Sequence, residues 1–185
     1  MKTYRSIVLG VILAVQALAP ASLAFADAPL HRWNPPPVPV SFAASTPYGV
    51  PNDWTTFTTI VADGRGAMDI REVRLTLALP AGGLEQMKLF YFPRTGRLQI
   101  ERPGGPRRVG CFVGQAKQLI TYWYNLDCGG TQVFVNDDLL TIAWRVKFKR
   151  PLAGTYGWYI ATVFARDANH LVGPQEMGAW EFRNE

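Results

Sequence analysis

Residues Leu139–Lys149 read LLTIAWRVKFK. Leu140, Ile142, Trp144, Val146 and Phe148 alternate with Thr141, Ala143, Arg145, Lys147 and Lys149. A period of two places every large apolar side chain of the stretch on one side of an extended chain. A helix would need apolar positions three and four apart, so the stretch reads as a strand with one buried and one wet face. IREVRLTLAL, residues 70–79, repeats the pattern: Val73, Leu75, Leu77 and Leu79 face one way, Arg74, Thr76 and Ala78 the other.

Working outward from these two segments, WTTFTTIVA, MKLFYF, RLQIE, LITYWYNL, TQVFV, YGWYIATVFA and MGAWEF are also short and rich in β-branched and aromatic residues. A further strand is expected near Val38 to Ala43. Between the segments lie PAGG, PRTG, RPGGP, CGG, VNDD and PLAG, all turn chemistry. No helical pattern follows the N-terminal region. The expectation is an all-β, antiparallel, immunoglobulin-like β-sandwich of roughly 8–10 strands. A closed barrel is the alternative.

The first 26 residues stand apart. Lys2 and Arg5 precede an apolar run from Ile7 to Leu18, then Pro20 and the small-residue end Ala24-Phe25-Ala26. This is the pattern of a secretory signal peptide cut before Asp27. The run is short of the roughly 20 residues a spanning helix needs, and no later run is longer. Residues 27–39 form a proline-rich arm, with Pro35, Pro36, Pro37 and Pro39 in HRWNPPPVPVSF. The arm is either a spacer or an extended edge leading into the first strand. Residues 40–185 are expected to form one domain, without internal repeats.

The leader holds two of the 19 basic residues and none of the 14 acidic ones, which leaves a mature net charge of about +3. Neither that excess nor the export route favours nucleic acid. The two cysteines, Cys111 and Cys128, are both in the mature chain. In an oxidising compartment they read as a disulfide, and with two the pairing is forced. A secreted or periplasmic location follows from leader and bridge together.

VADGRGAMDI, Val61 to Ile70, raises the question of a metal loop. An EF-type loop wants oxygen ligands at alternate positions, yet Arg65 and Ala67 occupy the positions that follow Asp63. The stretch reads as a turn, with no cofactor expected. A looser site from Asp63, Asp69 and a third carboxylate such as Asp167 is the alternative.

In order along the chain come FTTIVADGRGAMDI, LFYFPRTGRLQI, Cys111 and Cys128, LLTIAWRVKFKRPLAG, YIATVFARDANH and EMGAWEF. This run resembles a recurrent immunoglobulin-like β-sandwich domain of bacterial exported proteins, over nearly all of residues 54 to 182. The resemblance implies an extracellular or periplasmic module with no transferable chemistry. The chain departs from that pattern in carrying a single copy and a more basic RPGGPRR insert.

No catalytic constellation emerges. The histidines are His31, in the arm, and His170, near Asp167; the mature serines, Ser41 and Ser45, stand in no nucleophile elbow. Glu72, Glu85, Glu101, Glu176 and Glu181 show no spacing that selects a glycosidase pair. The chain is therefore expected not to be an enzyme. Two surfaces are candidates for binding. Tyr122, Trp123 and Tyr124 are consecutive, and an exposed aromatic face suits a sugar or a protein partner. Arg94, Arg97, Arg102, Arg107 and Arg108 fall within fifteen residues and suit an anionic partner. The leading expectation is an exported, non-catalytic module acting by binding or assembly on an unknown protein partner, envelope-associated or adhesion-type. A carbohydrate- or anionic-glycan-binding domain is the alternative.

Overall fold

The computed structural model describes residues 34–80, 85–101 and 107–184. The leader, most of the proline-rich arm, His31 and Arg102 lie outside the described residues. The strands are β1 (Val38–Ala44), β2 (Tyr48–Gly49), β3 (Trp54–Ala62), β4 (Glu72–Ala78), β5 (Glu85–Phe92), β6 (Arg97–Glu101) and β7 (Arg108–Phe112). They continue as β8 (Gln118–Ile120), β9 (Tyr124–Asp127), β10 (Gln132–Asn136), β11 (Leu139–Phe148), β12 (Gly157–Arg166) and β13 (Leu171–Phe182).

They form two sheets. One runs β1-β3-β11-β9-β8, with β10 also on β11; the other runs β2-β13-β12-β4-β5-β6-β7. Every pairing is antiparallel except the two-residue contact of β2 with β13. The protein is thus an all-β sandwich, with two separate sheets in place of a closed barrel.

The alternation in β11 is realised. Leu140, Ile142, Trp144, Val146 and Phe148 are buried, and their neighbours point outward. β3 follows the same rule, with Thr55, Phe57, Thr59 and Val61 inward. The sheets meet through aromatic rings. Phe57 of β3 lies 5.1 Å edge-on to Trp180 of β13, and Phe148 of β11 lies 5.0 Å from Trp180 and 5.5 Å from Phe182. Rings bury more apolar area than aliphatic side chains, and offset or edge-on pairs add to it. β4 departs from simple alternation. Its outer face is covered too: Thr76 is buried, and Arg74 lies over the Phe90 and Phe164 rings.

The Cys111–Cys128 disulfide closes 17 residues and clasps edge strand β7 of one sheet to the turn after β9 of the other. Of the described prolines of the arm, Pro39 lies in edge strand β1, and Pro35, Pro36 and Pro37 precede it. Strand β1 starts at Val38, where a strand is expected, and pairs Val38 with Ala62 and Pro39 with Val61. Pro37 and Pro39 are buried. Prolines fit here because one side of an edge strand needs no backbone donor.

There are more strands than expected, for two reasons. β2 and β7 had no recognisable pattern, and LITYWYNL divides. Thr121 N donates to Tyr124 O at 2.9 Å, and Ile120 pairs with Asn125. The segment is therefore a hairpin, β8–β9, with Tyr122 and Trp123 at its tip.

Candidate functional site

Strand β11 separates two notable ends. Leu139 pairs with Ala62, beside Asp63, and Phe148 pairs with Tyr124, beside the aromatic tip. Nine steps of about 3.3 Å put these ends roughly 30 Å apart.

At the Phe148 end, the expected three-residue aromatic strand is replaced by a turn. Tyr122 and Tyr124 do not share a face. Tyr124 is fully buried, Trp123 is half-buried against the core, and Tyr122 is 58% exposed. Thr121 causes this. Its buried hydroxyl donates to Tyr124 O at 2.8 Å and accepts from Trp123 N at 3.2 Å and Tyr124 N at 2.9 Å. A side chain that captures nearby backbone groups in this way diverts them from a sheet ladder. Two-residue hairpin loops favour positive φ and hence Gly, Asn or Asp. Here the loop is Tyr-Trp, and neither residue has positive φ. Lys149 N fastens the tip by donating to Trp123 O at 2.8 Å, and Lys149 Nζ donates to Thr121 O. The Arg150 guanidinium lies 4.0 Å from the Tyr122 ring centre and donates to its hydroxyl, while Trp123 meets that ring edge-on at 4.6 Å. Arg150 belongs to this surface, and nothing local in the sequence ties it to Tyr122, 28 residues away.

The arginines do not form one cluster. Arg97 pairs with Phe112 and Glu101 with Arg108, so Arg94 and Arg97 sit at one end of β6 and Arg107 and Arg108 at the other. Four strand steps, about 13 Å, separate the groups. Arg94, Arg97, Arg107 and Arg108 are all exposed. Arg108 lies over the Phe90 ring at 3.9 Å, and that ring is fully buried.

At the opposite end, three turns and the arm converge. Asp63 leaves β3, Asp69 ends the one-turn 3-10 helix Ala67–Asp69, and Asp167 follows β12. One carboxylate oxygen from each lies within 4.8 Å of the others. Ala67 and Ile70, both fully buried, pin the first turn, and Gly66 at φ 107 lets the chain double back toward Asp63. Asp63 Oδ1 accepts from Arg65 N at 2.9 Å. Asp167 Oδ1 accepts from Asn169 N and His170 N at 2.6 and 2.5 Å; its Oδ2 meets His170 Nδ1 at 3.1 Å and Asn34 Nδ2 at 3.2 Å. Burial alone would push the Asp167 carboxyl up. The His170 side chain and the two N–H groups outweigh burial and hold it below the ordinary carboxylate range. Asp63 moves the other way: burial raises it, the Arg65 N–H opposes, and Asp167 and Asp69 raise it further. Asn34, the fourth member, was not singled out by its sequence context.

Both cysteines are in the disulfide, and Ser45 Oγ accepts from Thr56 N at 3.0 Å. Glu72, Glu101 and Glu181 pair with Arg74, Lys88 and Arg183. The side chain of Glu85 lies outside the described residues, and Glu176 is exposed. Among the described residues no helix is long and apolar enough to cross a membrane.

Fold and sites together define a disulfide-clasped, all-β sandwich. Compared with protein-family models, curated proteins and solved structures, the chain finds no match.

Proposed function

We propose that the protein is an exported, non-catalytic β-sandwich module that acts by binding or assembly, with the β8–β9 tip as its contact point. The observation that carries the reading is the Tyr122–Trp123 turn. A hairpin tip favours Gly, Asn or Asp, yet this one presents an exposed tyrosine held by Trp123 and Arg150. Tyrosine, tryptophan and arginine are the residues most enriched where protein interfaces concentrate their energy. The turn is held by the Thr121 hydroxyl and needs no positive φ, so its geometry makes no demand for aromatic rings at the tip. The signal-peptide pattern and the inter-sheet disulfide support a secreted or periplasmic location. The resemblance to immunoglobulin-like modules of exported proteins agrees with that placement.

A carbohydrate-binding role is the second reading, favoured by the exposed ring alone. It is weaker because Arg150 lies across a face of Tyr122 that a sugar would stack on.

Site-specific photocrosslinking in the cell envelope tests the choice. A photoreactive analogue at position 122 is expected to capture one defined protein, while the same analogue at position 94 does not. Arg150→Ala should abolish the adduct. A glycan-array signal lost in Tyr122→Ala, with no protein adduct, would select the sugar reading instead.

A further inference from the structure

Three carboxylates share one end of the sandwich with Arg65, and Arg71, Arg166 and His170 line the pocket beside Asp167. Arg65 Nε lies 3.6 Å from Asp69 Oδ2, on a side chain that is 40% exposed. Such a surface contact is weak. Asp63 is only 1% exposed, and its Oδ2 has no hydrogen-bond partner among the described residues. Asp69 Oδ2 and Asn34 Oδ1 are likewise buried and without hydrogen-bond partners. Buried polar oxygens are almost always satisfied. Here three acceptors are left open together, and no donor among the described residues reaches them.

We propose that Asp63, Asp69, Asp167 and the side-chain carbonyl of Asn34 form a calcium site that fastens the N-terminal arm to the β3–β4 and β12–β13 turns. The donor set is all oxygen, which suits a hard cation and not zinc. Calcium binds oxygens at 2.3–2.6 Å, so two ligands on opposite sides of one ion stand at most about 5 Å apart. The 4.8 Å spread of the three carboxylate oxygens meets that limit. The neighbours orient the ligands as a metal site requires. The Asn169 and His170 N–H groups hold Asp167 Oδ1, His170 Nδ1 and Asn34 Nδ2 meet its Oδ2, and the Arg65 N–H takes the Oδ1 of Asp63. An ion would take the place of the Asn34 N–H on Asp167 Oδ2, and Oδ2 of Asp63 is left free to ligate. The EF-type template fails in VADGRGAMDI because the ligands come from three separate segments and not from one loop. Asn34 is the element that turns a local turn into a clamp. Its segment already lies on the loop: a methyl group on Gly64 would come within 2.7 Å of Pro35 Cγ.

The test uses the mature chain, stripped with a chelator and titrated separately with calcium chloride and magnesium chloride. Calorimetric titration is expected to find one calcium per chain. Millimolar calcium should raise the melting temperature by about 5 °C or more, since a ligand that binds only the native state stabilises it. Hydrogen exchange at residues 34–39 should slow in calcium. Asp63→Asn should weaken calcium binding roughly tenfold or more. In chelator, the same variant should melt no lower than the parent, because it removes a buried charge. Asn34→Ala leaves the sandwich core untouched and should also weaken binding and release the arm. Absence of calcium binding at millimolar concentration would overturn the proposal. So would stabilisation by magnesium alone, or calcium binding unchanged in both variants.

Discussion

Trp144 donates its indole N–H to the hydroxyl of Thr59 at 3.0 Å, between neighbouring strands and with both residues fully buried. Thr59 is an inward-facing polar residue in the middle of β3, where the alternation would accept valine. Its hydroxyl satisfies a donor that the core cannot otherwise reach. Thr59→Val keeps the shape and strands that N–H, which should cost roughly 1–3 kcal/mol. Trp144→Phe also loses ring volume. In a double-mutant cycle followed by denaturant unfolding, the pair should cost less than the sum of the single variants. Strict additivity would show that the bond contributes nothing.

Apart from the backbone connections, the disulfide links the two sheets covalently. Alkylation without reductant should leave both cysteines unmodified by intact mass. Reduction, or Cys111→Ala with Cys128→Ala, should lower stability by about 3 kcal/mol in the chain-entropy model for a loop of this length. Urea unfolding with and without reductant measures it. An unchanged midpoint would mean that the edge pairings alone hold β7 in place.

The arginines of the β6–β7 region should separate into two behaviours. Arg107 is exposed, and its replacement by serine should change stability by less than about 0.5 kcal/mol. Arg108 is exposed as well but lies over the Phe90 ring, so Arg108→Ser should cost roughly 0.5–1 kcal/mol through lost ring contact. Serine at both positions is therefore not a silent probe of charge, because one of the two is a packing residue. Thermal melts of the single variants distinguish them.

What the sequence discloses depends on how local the cause is. The faces of β11 and β3 follow from alternation within ten residues, and the sandwich follows from those faces. The bend at Tyr122 has a local cause in the Thr121 hydroxyl, but the residues at the tip are strand formers and disguise it. The grouping of the arginines is misleading because a β-strand carries sequence neighbours away from each other at over 3 Å per residue. The acidic end is hardest to see. Asp63 and Asp69 share a turn, but Asn34 meets Asp167 across 133 residues, through a register that only the paired sheets establish.

Tyr159 gives the fold a sensitivity to alkali. It is fully buried, and its hydroxyl donates to Leu152 O at 3.0 Å and to Thr155 O. Burial pushes its pKa up from the usual 10 to about 12, against the opposing effect of the Leu152 hydrogen bond. The unfolded chain releases this proton near pH 10, and the folded chain holds it until about pH 12. Between those values the unfolded state binds fewer protons, so stability falls as pH rises. Below pH 10 the contribution is fully present. Tyr91 and Tyr124 are shifted upward by burial as well, so the parent should lose stability steeply across this window. Tyr159→Phe should cost about 1 kcal/mol at neutral pH, because it takes the donor from the Thr155 carbonyl, while Leu152 O keeps the Thr155 N–H. In the same variant the slope of stability against pH between 10 and 12 should become shallower by one proton's worth. Urea midpoints measured at intervals across that range decide it; a slope identical to the parent would mean that Tyr159 titrates alike in both states.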